Sequence, residues 1–150
     1  MKKSTQSSTG RPPIFVDTSG FYALFVDDDR YHDEARSLLL EAERTRRPFV
    51  TTDYVIDETA TLLRARKQLT SIPTLFDVLN ASNVCRVIYM DPDRFSVAQK
   101  LFLRHADKAW SFTDCTSFVV MHELGLKEAL TSNHHFAQAK FVSLLGRTLR

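Results

Sequence analysis

Short apolar runs alternate with longer segments of helical periodicity along almost the whole chain, and this alternation limits the fold more than any other feature. Strands are predicted at Ile14-Phe15-Val16, Phe49-Val50-Thr51, Arg86 to Met90, Ala129-Leu130-Thr131 and Phe141-Val142-Ser143. Helices are predicted at 18–26, 31–46, 53–67, 70–82, 92–105 and 112–124. The second helix shows the pattern plainly, with Ala35, Leu38, Leu39 and Ala42 at helical spacing and Arg44, Arg46 and Arg47 near the end where cations suit the helix dipole. Gly125 is placed to end the last one in a left-handed turn. Strand–helix alternation of this kind predicts an α/β sandwich around a mostly parallel sheet.

Composition closes off other classes. At 150 residues the chain has the length of one domain, with 43% hydrophobic and 25% charged residues. We expect a mobile, Ser/Thr/Pro-rich tail over 1–13 and one domain over 14–150. No apolar run approaches the roughly 20 residues of a membrane helix. The basic start Met1-Lys2-Lys3 leads into polar residues Ser4 to Gly10 rather than an apolar segment, so a cytoplasmic protein is expected. Four glycines leave no phosphate-cradling fingerprint. Cys85 and Cys115 are expected as two buried thiols, and no Cys or His spacing suggests zinc. The net charge of +2 is too mild to identify a polyanionic partner.

Three acids stand where apolar or neutral residues would be ordinary. Asp17 directly follows the first strand, where ligands bind in open α/β sheets; it could equally cap the next helix. On a helical wheel of 53–67, Glu58 falls on the face of Val55, Leu62 and Ala65, while Asp57 points away. A carboxylate on a buried stripe needs a partner for its charge, unless it sits at the edge and reaches solvent. Asp114 shares a face with Phe118 and Met121, yet Ser111-Phe112-Thr113-Asp114 also fits a capping box. Gathered carboxylates repel, and a hard divalent cation relieves that repulsion. It can also acidify a bound water and clamp a phosphate.

The segments Ile14-Phe15-Val16-Asp17-Thr18-Ser19, Asp57-Glu58-Thr59-Ala60-Thr61-Leu62-Leu63, Phe112-Thr113-Asp114-Cys115-Thr116-Ser117-Phe118 and Ala129 to Phe136 together resemble the PIN-domain family, and within it the VapC-type toxins. The resemblance implies a three-layer fold with a five-stranded sheet between helices, a Mg²⁺ or Mn²⁺ site and endoribonuclease activity. It also implies a homodimer and a cognate antitoxin. The family's first three acids fall on Asp17, Glu58 and Asp114. The last motif, usually Leu-Thr-x-Asp-x-x-Phe, has Asn133 where the Asp belongs. Asn133 can still offer an oxygen to a metal with one charge fewer; it fits a natural variant, a weakened enzyme or a substitution made to permit production.

Ser19, Arg64 and Lys67 are candidate substrate contacts, the two cations being either a solvated helix end or part of a phosphate-tracking rim that includes Arg66. His134-His135 are expected as surface or loop histidines, because adjacent helical positions point about 100° apart. Trp110, Phe112 and Phe118 are expected in the core. Two alternatives to a nuclease stand: a PIN fold that binds RNA or an antitoxin without efficient cleavage, and a phosphoacceptor domain built on Asp91.

Overall fold

The computed structural model describes residues 10–81 and 83–147. The expected tail falls mostly on residues 1–9, outside the described residues. Of its remainder, Pro12 accepts a hydrogen bond from Arg47 Nε (2.7 Å), and Arg11 pairs with Glu128 (3.4 Å).

Five strands form one sheet in the order β3-β2-β1-β4-β5, and all four pairings are parallel. They are β1 (Ile14–Val16), β2 (Phe49–Thr52), β3 (Cys85–Ile88), β4 (Glu128–Leu130) and β5 (Val142–Ser143). Parallel neighbours need crossover connections, and helices supply them. α1 (Thr18–Phe25) and α2 (His32–Arg44) join β1 to β2; α3 (Asp53–Ala65) and α4 (Ser71–Asn80) join β2 to β3. α5 (Pro92–Arg104) and α6 (Phe112–Leu124) join β3 to β4, and α7 (His134–Gln138) joins β4 to β5. The result is the three-layer arrangement expected. β1 and β2 are buried at every residue, as strands covered on both faces require. α6 is buried without interruption from Asp114 to Met121.

Boundaries move for identifiable reasons. β3 stops at Ile88 rather than Met90, because the Met90 N–H is taken by the Asp53 carboxylate (2.9 Å) and Tyr89 turns outward. α3 ends at Ala65 rather than Lys67, since Lys67 takes a left-handed turn (φ 58°) and Gln68 N–H returns to Leu63 C=O (2.8 Å). Gly125 ends α6 at φ 68° as expected.

The buried face of α3 is corrected. It runs through Val55, Thr59 and Leu63, leaving Glu58 and Ala65 exposed. Polarity hid Thr59 from the wheel, but its hydroxyl donates to the Val55 carbonyl within the helix (2.7 Å) and so buries at little cost. Cys85 and Cys115 are buried free thiols, raised by burial to about 12 and about 11. Trp110 and Phe118 are buried, whereas Phe112 is half-buried among Tyr54, Phe95 and Phe102. Among the described residues no helix is long and apolar enough to cross a membrane.

Candidate functional site

The strand order reverses about β1: the chain moves outward to β2 and β3, then returns to β4 on the other side. A crevice opens beyond the strand ends at such a switch point. Asp17 leaves β1 there, and Thr131, Ser132 and Asn133 leave β4 beside it. Gly20 sets the spacing, because a Cβ on it would lie 2.1 Å from the Leu130 carbonyl oxygen. Only glycine lets α1 come this close to β4.

Asp17 occupies the N-cap position of α1, but its side chain makes no cap hydrogen bond. It accepts instead from Thr131 Oγ1 (2.9 Å) and Ser19 Oγ (3.4 Å), and is only 3% exposed. Burial pushes its carboxyl up to about 6, against the hydrogen bonds from Thr131 and the Thr18 N–H, with the nearby Asp114 and Glu58 charges adding to the rise.

Asp114 fills both of its alternatives. It completes the capping box, accepting from Ser111 N–H (3.1 Å) while its own N–H donates to Ser111 Oγ (2.9 Å). The same carboxylate faces the crevice, where Oδ1 accepts from Asn133 Nδ2 (3.2 Å) and Oδ2 lies 2.9 Å from His135 Nδ1. Asn133 likewise both caps a helix and lines the crevice: Oδ1 accepts from the His135 N–H (3.0 Å) at the start of α7. The expectation for the histidine pair is corrected for one member. His134 is exposed, but His135 is turned inward against Asp114.

Glu58 reaches the crevice from the exposed edge of α3 and accepts from Thr18 Oγ1 (2.7 Å). Ser19 ties the loops together, lying 3.0 Å from Thr131 Oγ1 and accepting from Ser132 N–H (3.0 Å). Asp17, Ser19, Glu58, Asp114, Asn133 and His135 line one cavity of about 420 Å³, with Thr131 bracing Asp17 from outside the lining. Arg64 and Lys67 do not line it; Arg66 does, with Glu58 and Leu62. At about 100° per residue, positions 58, 62 and 66 stay within a quarter-turn, whereas 64 and 67 point elsewhere. Asp91 lies outside the cavity and caps α5 by accepting from Arg94 N–H (2.8 Å), which removes the support for a phosphoacceptor site.

The three acids share the cavity without forming a ready cage. Among the described residues, no group of three or more His, Cys, Asp or Glu side chains is placed to hold a metal ion. Glu58 is turned to Thr18, and Asp114 is divided among Ser111, Asn133 and His135. The donor chemistry nevertheless fits a hard cation. Mg²⁺ typically takes one or two carboxylates and completes its shell with water, and Asp17 and Asp114 are two buried carboxylates with an open cavity before them. His135, Thr131, Tyr22 and Asp29 line or brace the site without having been singled out for it, and Arg66, named only as a member of the rim, lines it as well. For Thr131, a hydroxyl at the end of a buried strand was the available signal.

Comparison with known proteins agrees with this geometry. The PIN domain profile matches residues 14–142. The 23S rRNA-specific endonuclease VapC20 of Mycobacterium tuberculosis is 33% identical over 132 residues, covering 87% of this chain and 97% of that protein. A VapC ribonuclease of Archaeoglobus fulgidus is 32% identical over 117 residues, covering 75% of this chain and 72% of that protein. The crystal structure of M. tuberculosis VapC20, described as a Sarcin-Ricin loop cleaving toxin, superposes with a TM-score of 0.79 at 31% identity, over 88% of this chain and 98% of that one.

Proposed function

The chain belongs to the PIN-domain family, and from that premise we propose that it is a divalent-metal-dependent endoribonuclease, the toxin of a VapBC-type pair. One observation carries the reading: a carboxylate buried at the switch point of the sheet, Asp17, shares its cavity with a second buried carboxylate, Asp114, and with Glu58. Asp17 and Asp114 are the principal ligands of Mg²⁺ or Mn²⁺ in this reading. Glu58, exposed and accepting from Thr18, is placed to support the ion's water shell or orient the attacking water. Asn133 contributes from the edge and keeps Asp114 in place. The ion supplies charge neutralisation at the scissile phosphate and a more acidic water. Thr131 and Ser19 hold Asp17 in its buried position, and Ser111 and His135 fix the Asp114 carboxylate.

RNA is the substrate class, and ribosomal RNA is the first candidate, given the name of the mycobacterial relative. Membership of the family supports a cognate antitoxin and a homodimer as parts of the same proposal. The test is cleavage of ribosomal RNA by the purified protein with Mg²⁺ or Mn²⁺, with chelator, and after Asp17→Ala. Cleavage is expected only with metal and only with Asp17 intact. Full cleavage in chelator would refute the mechanism, and tight RNA binding without cleavage under every condition would leave a binding module.

A further inference from the structure

We propose that Arg66 is the residue that receives a backbone phosphate of the RNA strand, held ready for it on the ring of Tyr22. The assignment rests on the reading of the cavity as an RNA-cleaving site. Four carboxylates line that cavity: Asp17, Asp29, Glu58 and Asp114. A polyanion entering such a place meets repulsion that must be offset close at hand. Among the described residues, Arg66 is the one Lys or Arg side chain in the lining.

Its geometry is fixed from below. The Arg66 N–H closes the end of α3 on the Leu62 carbonyl (3.0 Å), and Lys67 then leaves in a left-handed turn, so the root of the side chain is set by the helix end. The guanidinium lies over the Tyr22 ring, 5.0 Å from its centroid, and Tyr22 is itself 9% exposed. Stacking on a buried ring restrains a long side chain that would otherwise have many rotamers. Arg47, Arg94 and Arg44 are committed to Glu128, Glu123 and Glu41, and the remaining described arginines apart from Arg66, Arg64 among them, lie away from the cavity lining. Among the described residues the Arg66 guanidinium has no carboxylate partner, although the cavity contains four acids. Its donor edge therefore stays available for a planar fork onto phosphate oxygens. Eight residues of helix separate Arg66 from Glu58, about 12 Å at 1.5 Å per residue. The phosphate it holds is accordingly a neighbour of the scissile one, and Arg66 sets where the strand lies rather than how the bond breaks.

The test measures binding without cleavage. Labelled single-stranded RNA is titrated, in chelator, with Asp17→Asn protein and with the same protein carrying Arg66→Ala, between 50 and 200 mM salt. Loss of one single-strand phosphate contact lowers the slope of log affinity against log salt by about 0.7. Arg66→Ala is expected to bind roughly tenfold more weakly at 50 mM and only about fourfold more weakly at 200 mM, the ratio that this slope sets. Arg66→Lys should retain the slope, and Arg64→Ala and Lys67→Ala should change neither slope nor affinity. In metal-loaded enzyme with Asp17 intact, Arg66→Ala should raise KM while kcat stays within about twofold. Weaker binding with an unchanged slope would assign Arg66 to base stacking and overturn the proposal, as would equal effects from Arg64→Ala or Lys67→Ala. Failure of the Asp17→Asn parent to bind RNA at all would overturn the reading of the site and this assignment together.

Discussion

Asp17 makes the protein's stability depend on pH in a direction opposite to that of an acid held ionised by a salt bridge, and a single substitution isolates the effect. Its carboxyl is raised by burial from an ordinary 3.8 to about 6. Between those values the native chain holds a proton that the unfolded chain has released, so stability falls as pH rises. The contribution is full below pH 3.8 and lost above 6. The whole interval corresponds to about 3 kcal/mol, of which about 2 kcal/mol is lost between pH 4 and pH 7. In Asp17→Asn the neutral amide oxygen can still accept from Thr131 Oγ1, which donates to the carboxylate at 2.9 Å in the wild type. At pH 8 in chelator, Asp17→Asn should therefore be more stable by about 2 kcal/mol, roughly 4–8 °C in melting temperature for a chain of this length. At pH 4 the two should nearly coincide. Adding Mg²⁺ at pH 8 should raise the wild type toward the variant and leave the variant almost unmoved, since only a state that binds the ion gains from it. Thermal melts of both proteins from pH 4 to pH 8 decide the matter. Curves that stay a constant distance apart from pH 4 to pH 8, with no selective response to Mg²⁺, would refute the claim that an uncompensated buried charge sits at position 17.

Asn133→Asp keeps the α7 cap but replaces the donor to Asp114 Oδ1 with a like charge, so it should lower the melting temperature in chelator; with Mn²⁺ present it should tighten metal binding about fivefold, on the order of 1 kcal/mol, as titration calorimetry would read. Unchanged values in both would reduce Asn133 to a helix cap. His135→Ala removes the contact at 2.9 Å from Asp114 Oδ2, and Mn²⁺ affinity should fall several-fold, as loss of an outer-shell partner does; an unchanged affinity would make His135 a bystander. Gly20→Ala places a methyl group 2.1 Å from the Leu130 carbonyl oxygen, and denaturant unfolding should show a loss of about 1–3 kcal/mol as α1 is forced off β4. A neutral result there would mean that the close approach of α1 to β4 is not what sets the crevice.

What the sequence determined by itself is local. Runs such as Ile14-Phe15-Val16 had to be strands buried on both faces, and the helix-patterned segments between them had to carry the crossovers, because each period permits one way of hiding apolar surface. Asp17 and Asp114 were legible as candidates for a related reason: a carboxylate in an apolar context needs an explanation, and both are buried and line the same cavity in the structure. The rest was decided by tertiary contact. The wheel put Glu58 on a buried face, but Thr59 took that place with its hydroxyl satisfied inside the helix, and Glu58 reached the cavity from the exposed edge. Arg66 rather than Arg64 or Lys67 lines the cavity, because the turn ending α3 and the Tyr22 ring of another helix set its direction. His135 joins Asp114 across twenty-one positions of sequence, a pairing that exists only after α6 and α7 meet. Periodicity reports which side of an element faces the core; which polar side chains meet at its rim depends on how separate elements are docked, and no spacing along one segment contains that information.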